Sequence, residues 1–246
     1  MEQRIMTETP TVWTDAAAVL FDLDGVLTPT AIVHERAWQE LFDGYLAENG
    51  HSDSYRESDY FDFIDGKPRF DGVRDFLASR GIVLPEGPLD DDPVNPTVQG
   101  LGNRKNRIFN DIVQSRGVEP YEGSVQFIHA AVEQGLKLAV VSSSRNAPAV
   151  LKAAGLSGFF PVVVDGQVAS EQGLPGKPHP ATFHFAAELL GVPAEDCIVV
   201  EDAVSGVQAG SAGNFRAVIG VDRGAGRATL LKAGATFVVD DLKELL

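Results

Sequence analysis

The stretch "AVLFDLDGVLTPT", residues 18–30, runs as an apolar strand candidate into two aspartates one residue apart, Asp22 and Asp24, followed at once by Gly25. Charged groups are costly to bury, so a core strand that ends this way has a use for its end. Residues i and i+2 of a strand face the same side. Open α/β sheets bind ligands beyond the carboxyl ends of their strands. Asp22 and Asp24 can therefore turn into one crevice, where two carboxylates repel unless a cation or proton lies between them. Gly25 removes a side chain where a ligand must approach the backbone.

Working outward, short β-branched runs recur: "AAAVLF" (16–21), "KLAVVS" (137–142), "PVVV" (161–164), "CIVV" (197–200), "AVIG" (217–220) and "TFVV" (236–239). Most are continuous rather than alternating, which suits strands covered on both faces. Helix-like segments lie between them, including "SVQFIHAAVEQG", "APAVLKAAGL", "PATFHFAAELLG", "AVSGVQAGSAGN" and "RATLLKAG". This alternation predicts βαβ units and a parallel sheet. Residues 31–118 read differently. Strand candidates vanish, and helices are expected over "AIVHERAWQELFDGYLAENG", "RFDGVRDFLASRG" and "GNRKNRIFNDIVQSRG", with a Pro- and Asp-rich loop at 85–98. The expected organisation is an α/β core of 15–30 and 119–246, interrupted after its first strand by a helical insertion.

Other strands end as suggestively as the first. "KLAVV" runs into "SSSRN" (142–146) and then a helix, where hydroxyls, free N–H groups and the helix dipole favour an anion. "CIVV" runs into Glu201 and Asp202, and Lys177 stands in "PGKPHP". Taken singly, each has an ordinary reading: a turn, an N-cap, a helix start, a surface lysine. Together, each closing a strand or its following loop, they suit phosphoryl transfer assisted by Mg²⁺, which takes a few carboxylates, water and substrate phosphate. Asp22 is then the nucleophile, forming an aspartyl phosphate.

"FDLDGVLT", "VVSSSRN", "GKPHP" and "VVEDAVSGVQAG" resemble the four motifs of the haloacid dehalogenase superfamily, and the spacing with the helical insertion resembles its β-phosphoglucomutase-like branch. The resemblance runs from about residue 17 to near the end of the chain. It implies a Rossmann-like parallel sheet with an inserted helical cap domain that closes over the site. It also implies Asp22 as nucleophile, Asp24 as general acid/base, and Ser142 and Lys177 as holders of the transferring phosphate. Mg²⁺ would be held by Asp22, the backbone carbonyl of Asp24, Glu201 and Asp202. His34 in "HERAW", Arg69 in "DGKPRFDGV" and Lys105 in "GNRKN" match cap residues of the mutase pattern. Ser144 and Asn146 match residues that hold a second, non-transferring phosphate, and Arg145 stands where lysine is usual. Pro29 replaces a common aspartate, and Ala203 follows "ED" where serine is common.

The implied activity is interconversion of β-glucose 1-phosphate and glucose 6-phosphate through a bisphosphate. A sugar-phosphate phosphatase on the same site is the alternative, and a non-catalytic phosphometabolite-binding protein the more distant one. The chain of 246 residues carries 20 Lys+Arg against 35 Asp+Glu, a net charge of −15. Such a charge disfavours nucleic acid and anionic membranes as partners. The first residues lack the apolar region of a signal peptide, and no run approaches the roughly 20 apolar residues of a membrane helix. The expectation is a cytoplasmic monomer acting on a small sugar phosphate. The one cysteine, Cys197, lies in an apolar run and reads as an inert core residue, and Trp13 and Trp38 read as packing residues. His51, His129, His179 and His184 receive no role.

Overall fold

The structure, a computed structural model, describes residues 15–246. Trp13 lies outside the described residues. Six strands form one parallel sheet: β1 (Ala18–Phe21), β2 (Lys137–Val141), β3 (Val162–Val164), β4 (Cys197–Glu201), β5 (Ala217–Val221) and β6 (Phe237–Val239). They lie in the order β3-β2-β1-β4-β5-β6. Every strand expected from the sequence is present within a residue or two, because continuous Val/Ile/Leu/Ala runs fit a sheet buried on both faces.

The pleat of β1 divides its side chains between two cores. Val19 and Phe21 pack with Phe127, Ile128, Val140 and Val200 on one face, while Ala18 and Leu20 pack with Val141, Phe183, Val199 and Val207 on the other. The first face is covered by α5 (Glu122–Glu133) and α6 (Ala147–Ala153), the second by α8 (Ala181–Leu190), α9 (Val204–Ala212) and α10 (Arg227–Ala233). A short helix missed in the sequence, α7 (Gly166–Glu171), follows β3. Its start is capped by Asp165, whose side chain accepts the Gln167 and Val168 N–H groups.

The chain leaves β1 to build β2 and β3 on one side, then crosses to build β4 on the other. The strand order therefore reverses between β1 and β4, where open α/β sheets hold their ligands. Phe21 pairs with Val200, and the Asp22 N–H donates to the Val200 carbonyl at 2.9 Å, so Asp22 and Glu201 emerge side by side.

Between β1 and β2 the described residues contain no named strand. Helix α1 (Thr30–Glu48) buries Ala37, Trp38, Leu41, Phe42, Tyr45 and Leu46 on one face, the i, i+3, i+4 spacing of an amphipathic helix. A short α2 (Glu57–Asp59), unexpected from the sequence, continues as a π-helical turn (Tyr60–Ile64). Then come α3 (Arg69–Ser79) and α4 (Val98–Arg116). Together they enclose their own core, in which Trp38, Phe42 and Phe76 stack. Trp38 is thus a packing residue.

In the Asp-rich loop one carboxylate gathers three donors. Asp91 accepts from the Thr97 hydroxyl at 2.5 Å, the Asn95 amide at 2.6 Å and the Asp92 N–H at 3.0 Å. Thr97 in turn caps α4, so that helix starts four residues before the expected Gly102. Among the described residues, no helix is long and apolar enough to cross a membrane.

Candidate active site

At the carboxyl ends of β1 and β4 three charged side chains are buried together: Asp22, Glu201 and Lys177. The Lys177 Nζ donates to Asp22 Oδ1 and to Glu201 Oε1, each at 2.5 Å, and to the Val141 carbonyl at 3.1 Å. Glu201 Oε2 accepts the Asp202 and Ala203 N–H groups at 2.9 and 3.0 Å, which joins the carboxylate to the start of α9. Two glycines make room for this packing. A Cβ on Gly206 would fall 1.7 Å from Glu201 Oε1, and one on Gly25 would fall 1.8 Å from Asp202 Oδ2. Gly25 also has φ +93°, a conformation that glycine adopts without strain.

The carboxylates outnumber their cation. Burial pushes Asp22 well up, with the Glu201 and Asp24 charges adding and Lys177 opposing. Burial likewise raises Asp202, reinforced by Glu201, Asp22 and Asp65. One oxygen each from Asp22, Glu201 and Asp202 lies within 4.8 Å of the others. Hard oxygen donors with a deficit of positive charge are what Mg²⁺ requires, so these residues fit that ion.

Asp24 is held by core and insertion together. The Thr30 hydroxyl donates to Asp24 Oδ1 at 2.5 Å, His34 Nε2 lies 3.5 Å from the same oxygen, and the Ser142 hydroxyl donates to Oδ2 at 3.3 Å. Burial alone would raise Asp24, but the His34 charge and hydrogen bond, Thr30 and Lys105 outweigh it and hold the carboxyl at about 2. His34 stacks on Phe109, and its Nδ1 contacts the buried Lys105 Nζ. Burial and the Lys105 charge lower His34, and burial with the Arg69 charge lowers Lys105 far more. Two nitrogen groups in contact do not both keep a full charge. The Asp24 charge opposes the lowering of both.

Asp22, Asp24, His34, Arg69, Lys105, Ser142, Ser144, Asn146, Glu201 and Asp202 line one cavity of about 80 Å³. Lys177 reaches that cavity through Asp22 and Glu201. Arg145 does not line it; its side chain lies on a neighbouring cavity, with its guanidinium 5.8 Å from the Phe70 ring centre. Arg69 lines both cavities. It has no carboxylate partner among the described residues; it makes 3.5 Å contacts to Gly102 O and Asn103 Oδ1, and its guanidinium lies 5.5 Å from the Phe70 ring centre. Burial and the Arg145 charge pull it to about 10.

The insertion is pinned onto the sheet beside this cavity. The Ser143 hydroxyl donates to the Gly66 carbonyl at 2.8 Å, the Ser205 hydroxyl to the Asp65 carbonyl at 3.2 Å, and the Asn146 amide to Asn106 Oδ1 at 2.6 Å.

Several site residues escaped the reading of the sequence. Thr30 stands in the quoted "LTPT", six residues after Asp24, and the helical i+4 step to His34 was the signal that puts both on one face. Gly206 stands in the quoted fourth motif. Asp65, whose carboxyl is lifted to about 7 by burial and then by Glu201, lines the same cavity from the "DGKPR" turn. Arg223 donates from Nε to the Gly25 carbonyl at 2.9 Å and stacks on Tyr121, and nothing in its own stretch signals this.

The family model for haloacid dehalogenase-like hydrolases matches residues 16–214. The chain belongs to the haloacid dehalogenase-like hydrolase family. Within that family it is 47% identical over 238 residues to a β-phosphoglucomutase of Mycobacterium tuberculosis (strain CDC 1551 / Oshkosh), covering 93% of this chain and 91% of that one. It is 32% identical over 209 residues to a β-phosphoglucomutase of Bacillus subtilis (strain 168), covering 84% of each. Among solved structures it is similar to β-phosphoglucomutase from Clostridium difficile, with a TM-score of 0.77 and 25% identity over 94% of this chain and 93% of that one. The α/β haloacid dehalogenase fold with its inserted helices, of the β-phosphoglucomutase-like branch, is the architecture described above.

Proposed function

We propose that this chain is a Mg²⁺-dependent β-phosphoglucomutase, converting β-glucose 1-phosphate into glucose 6-phosphate through the bound 1,6-bisphosphate, with residues 31–118 as its cap. Family membership and 47% identity to a β-phosphoglucomutase support an enzyme of this kind. The observation that carries the mutase over the phosphatase is Arg69. Its guanidinium, without a carboxylate partner among the described residues, lines the same cavity as Asp22 but comes from the cap. A dianion leaving water needs a cationic partner, and a planar guanidinium fork matches phosphate. A bisphosphate needs two such places, whereas a monoester phosphatase needs one.

In this reading an Asp22 carboxylate oxygen attacks phosphorus, and the bond from phosphorus to the departing sugar oxygen breaks, leaving phosphate on Asp22. Asp24 donates a proton to the departing oxygen, or accepts one from the attacking sugar hydroxyl in the reverse sense. Held at about 2 as here, Asp24 is the proton-accepting form. Ser142 and Lys177 orient the transferring phosphate, while Arg69, Ser144 and Asn146 hold the other. Asp22, the Asp24 carbonyl, Glu201 and Asp202 would hold Mg²⁺, which supplies charge stabilisation to the phosphoryl oxygens. The cap excludes water while Asp22 carries the phosphoryl group and retains the bisphosphate while it turns round beside the free Asp22. The protein in this reading is a cytoplasmic monomer with a small sugar phosphate as its partner.

The test supplies β-glucose 1-phosphate, Mg²⁺ and a trace of the 1,6-bisphosphate, and follows glucose 6-phosphate and free phosphate together. Glucose 6-phosphate as the main product is expected. Free phosphate as the main product moves the assignment to the phosphatase.

A further inference from the structure

Among the described residues, each backbone carbonyl from Leu23 to Thr28 except that of Asp24 accepts a hydrogen bond. Leu23 O takes the Leu27 and Thr28 N–H groups at 2.9 and 3.1 Å, Leu27 O the Tyr121 N–H at 3.0 Å and Thr28 O the Gly25 N–H at 2.7 Å. Val26 O takes the Ser124 hydroxyl at 2.6 Å. These donors belong to the loop itself or to the chain returning from the insertion. Gly25 O is different. It takes Arg223 Nε at 2.9 Å, from the loop after β5 and 198 residues further along the chain.

The Arg223 guanidinium is itself held. Its central carbon lies 3.9 Å from the Tyr121 ring centre, and Nη1 donates to the Asp240 carbonyl at 3.0 Å. Together these fix the plane of the group and so the direction of its Nε–H. Nη2 is buried without a hydrogen-bond partner. An unpaired buried donor is unfavourable and calls for an explanation, and the grip on Gly25 supplies one. Gly25 has φ +93°, and a glycine has more backbone freedom to lose than any other residue. The Asp24 carbonyl and the Gly25 N–H belong to one planar peptide. Thr28 holds that peptide, Arg223 holds the next, and the two bonds leave Gly25 no free rotation. Gly25 also lies against Asp202, since a Cβ there would fall 1.8 Å from Asp202 Oδ2. One residue therefore governs both the direction of the Asp24 carbonyl and the room left for the Asp202 carboxylate.

We propose that Arg223 is a positioning residue for divalent-cation binding: by holding the Gly25 carbonyl it keeps the Asp24 carbonyl and the Asp202 carboxylate in one arrangement before the cation arrives. Arg223 lines neither cavity, so it acts through Gly25 and not on substrate. The inference rests on the metal assignment made above and not on the choice between mutase and phosphatase. Without the Arg223 bond Gly25 regains rotations that the cation must freeze on binding. Fixing the backbone of one residue corresponds to about tenfold in a binding constant.

Arg223→Met and Arg223→Gln separate this bond from packing. Both lose Nη1 and Nη2. Methionine places a methyl where Nε stood, and glutamine can place its amide nitrogen there. Mn²⁺ is the probe, titrated into sugar-free protein and followed by its electron paramagnetic resonance signal. Arg223→Met should weaken Mn²⁺ binding about tenfold, and Arg223→Gln by no more than about threefold. Tyr121→Leu withdraws the ring that orients the guanidinium; it should weaken binding in the wild type and add nothing in Arg223→Met. Arg227→Met loses bonds to Val238 and Asp240 without touching Gly25, and should bind Mn²⁺ as the wild type does. A metal-free readout is deuterium exchange at the Gly25 N–H, which should be about tenfold faster in Arg223→Met than in Arg223→Gln. Equal Mn²⁺ affinity in the two Arg223 variants, an equal loss in Arg227→Met, or equal Gly25 exchange would each overturn the proposal. Wild-type protein that binds no Mn²⁺ would end the metal assignment and the proposal with it. No sugar is present, so failure of the mutase assignment leaves these measurements unmoved.

Discussion

Lys177→Met tests the electrostatic balance at the strand ends. The substitution keeps a linear side chain of similar length and removes the ammonium that contacts Asp22 and Glu201 at 2.5 Å each. All three groups are buried, so water cannot replace the lost charge. Removing one partner of a buried pair costs about 3–5 kcal/mol. At ~2–4 °C per kcal/mol for a chain of this size, the melting midpoint should fall by about 6–20 °C. The variant has an escape: one carboxyl keeps a proton. Asp22 is already raised by burial and by its acidic neighbours, with Lys177 as the opposing influence, so its pKa climbs further when Lys177 is gone. An acid whose folded pKa lies above its unfolded value contributes most at low pH and progressively less as pH rises toward the folded value. The deficit against wild type should thus be smaller near pH ~5 than near pH ~8. Mg²⁺ should return part of the lost stability, and more to the variant than to the wild type, because a ligand that binds only the folded state stabilises it. The assay is thermal unfolding of both proteins at the two pH values, with Mg²⁺ and with chelator. A deficit that is equal at both pH values and indifferent to Mg²⁺ would refute the view that Lys177 serves as counter-charge to this cluster.

Asp22→Asn should keep the wild-type circular dichroism spectrum and abolish turnover; more than trace metal-dependent activity would remove Asp22 as nucleophile. Asp202→Ala should raise the Mg²⁺ concentration needed for half-maximal activity, and chelator should inactivate the wild type reversibly; full activity in excess chelator would end the metal role of this group. Arg69→Ala should cut formation of glucose 6-phosphate by at least about 100-fold, the scale of losing ~3 kcal/mol from a charge-assisted contact, while sparing acetyl phosphate hydrolysis. Equal losses in the two assays would mean that Arg69 serves cap folding instead. Gly206→Ala, whose Cβ would fall 1.7 Å from Glu201 Oε1, should lower both stability and activity; a variant indistinguishable from wild type in unfolding and in kcat would show that the acid has room to move.

The six strands were legible because their cause is local. A run such as "CIVV" has no low-energy arrangement except one with both faces covered, and the buried pattern of β4 follows directly from it. The Asp22–Asp24 pair and the Glu201–Asp202 pair were legible for the same reason: their meaning comes from standing at the end of a strand, which the adjoining residues already specify. Cys197 reads as core from its neighbours, and it is fully buried with its thiol pushed up to about 12 by burial and the nearby acids.

What needed the folded chain is each group whose state depends on a distant partner. The "RKNR" stretch looks like a solvated face, yet Lys105 is buried against His34, a residue 71 positions away, because α1 and α4 pack together around Trp38 and Phe109. Arg145 and Asn146 are neighbours in "SSSRN" but line different cavities, since side chains one residue apart leave a turn in different directions. Asp91 organises its loop and Asp65 faces Glu201 for reasons that no acid-rich stretch announces. Periodicity specifies which residues leave water. Charge state, and the choice between two adjacent cavities, are set by which burial and which neighbours the assembled fold imposes.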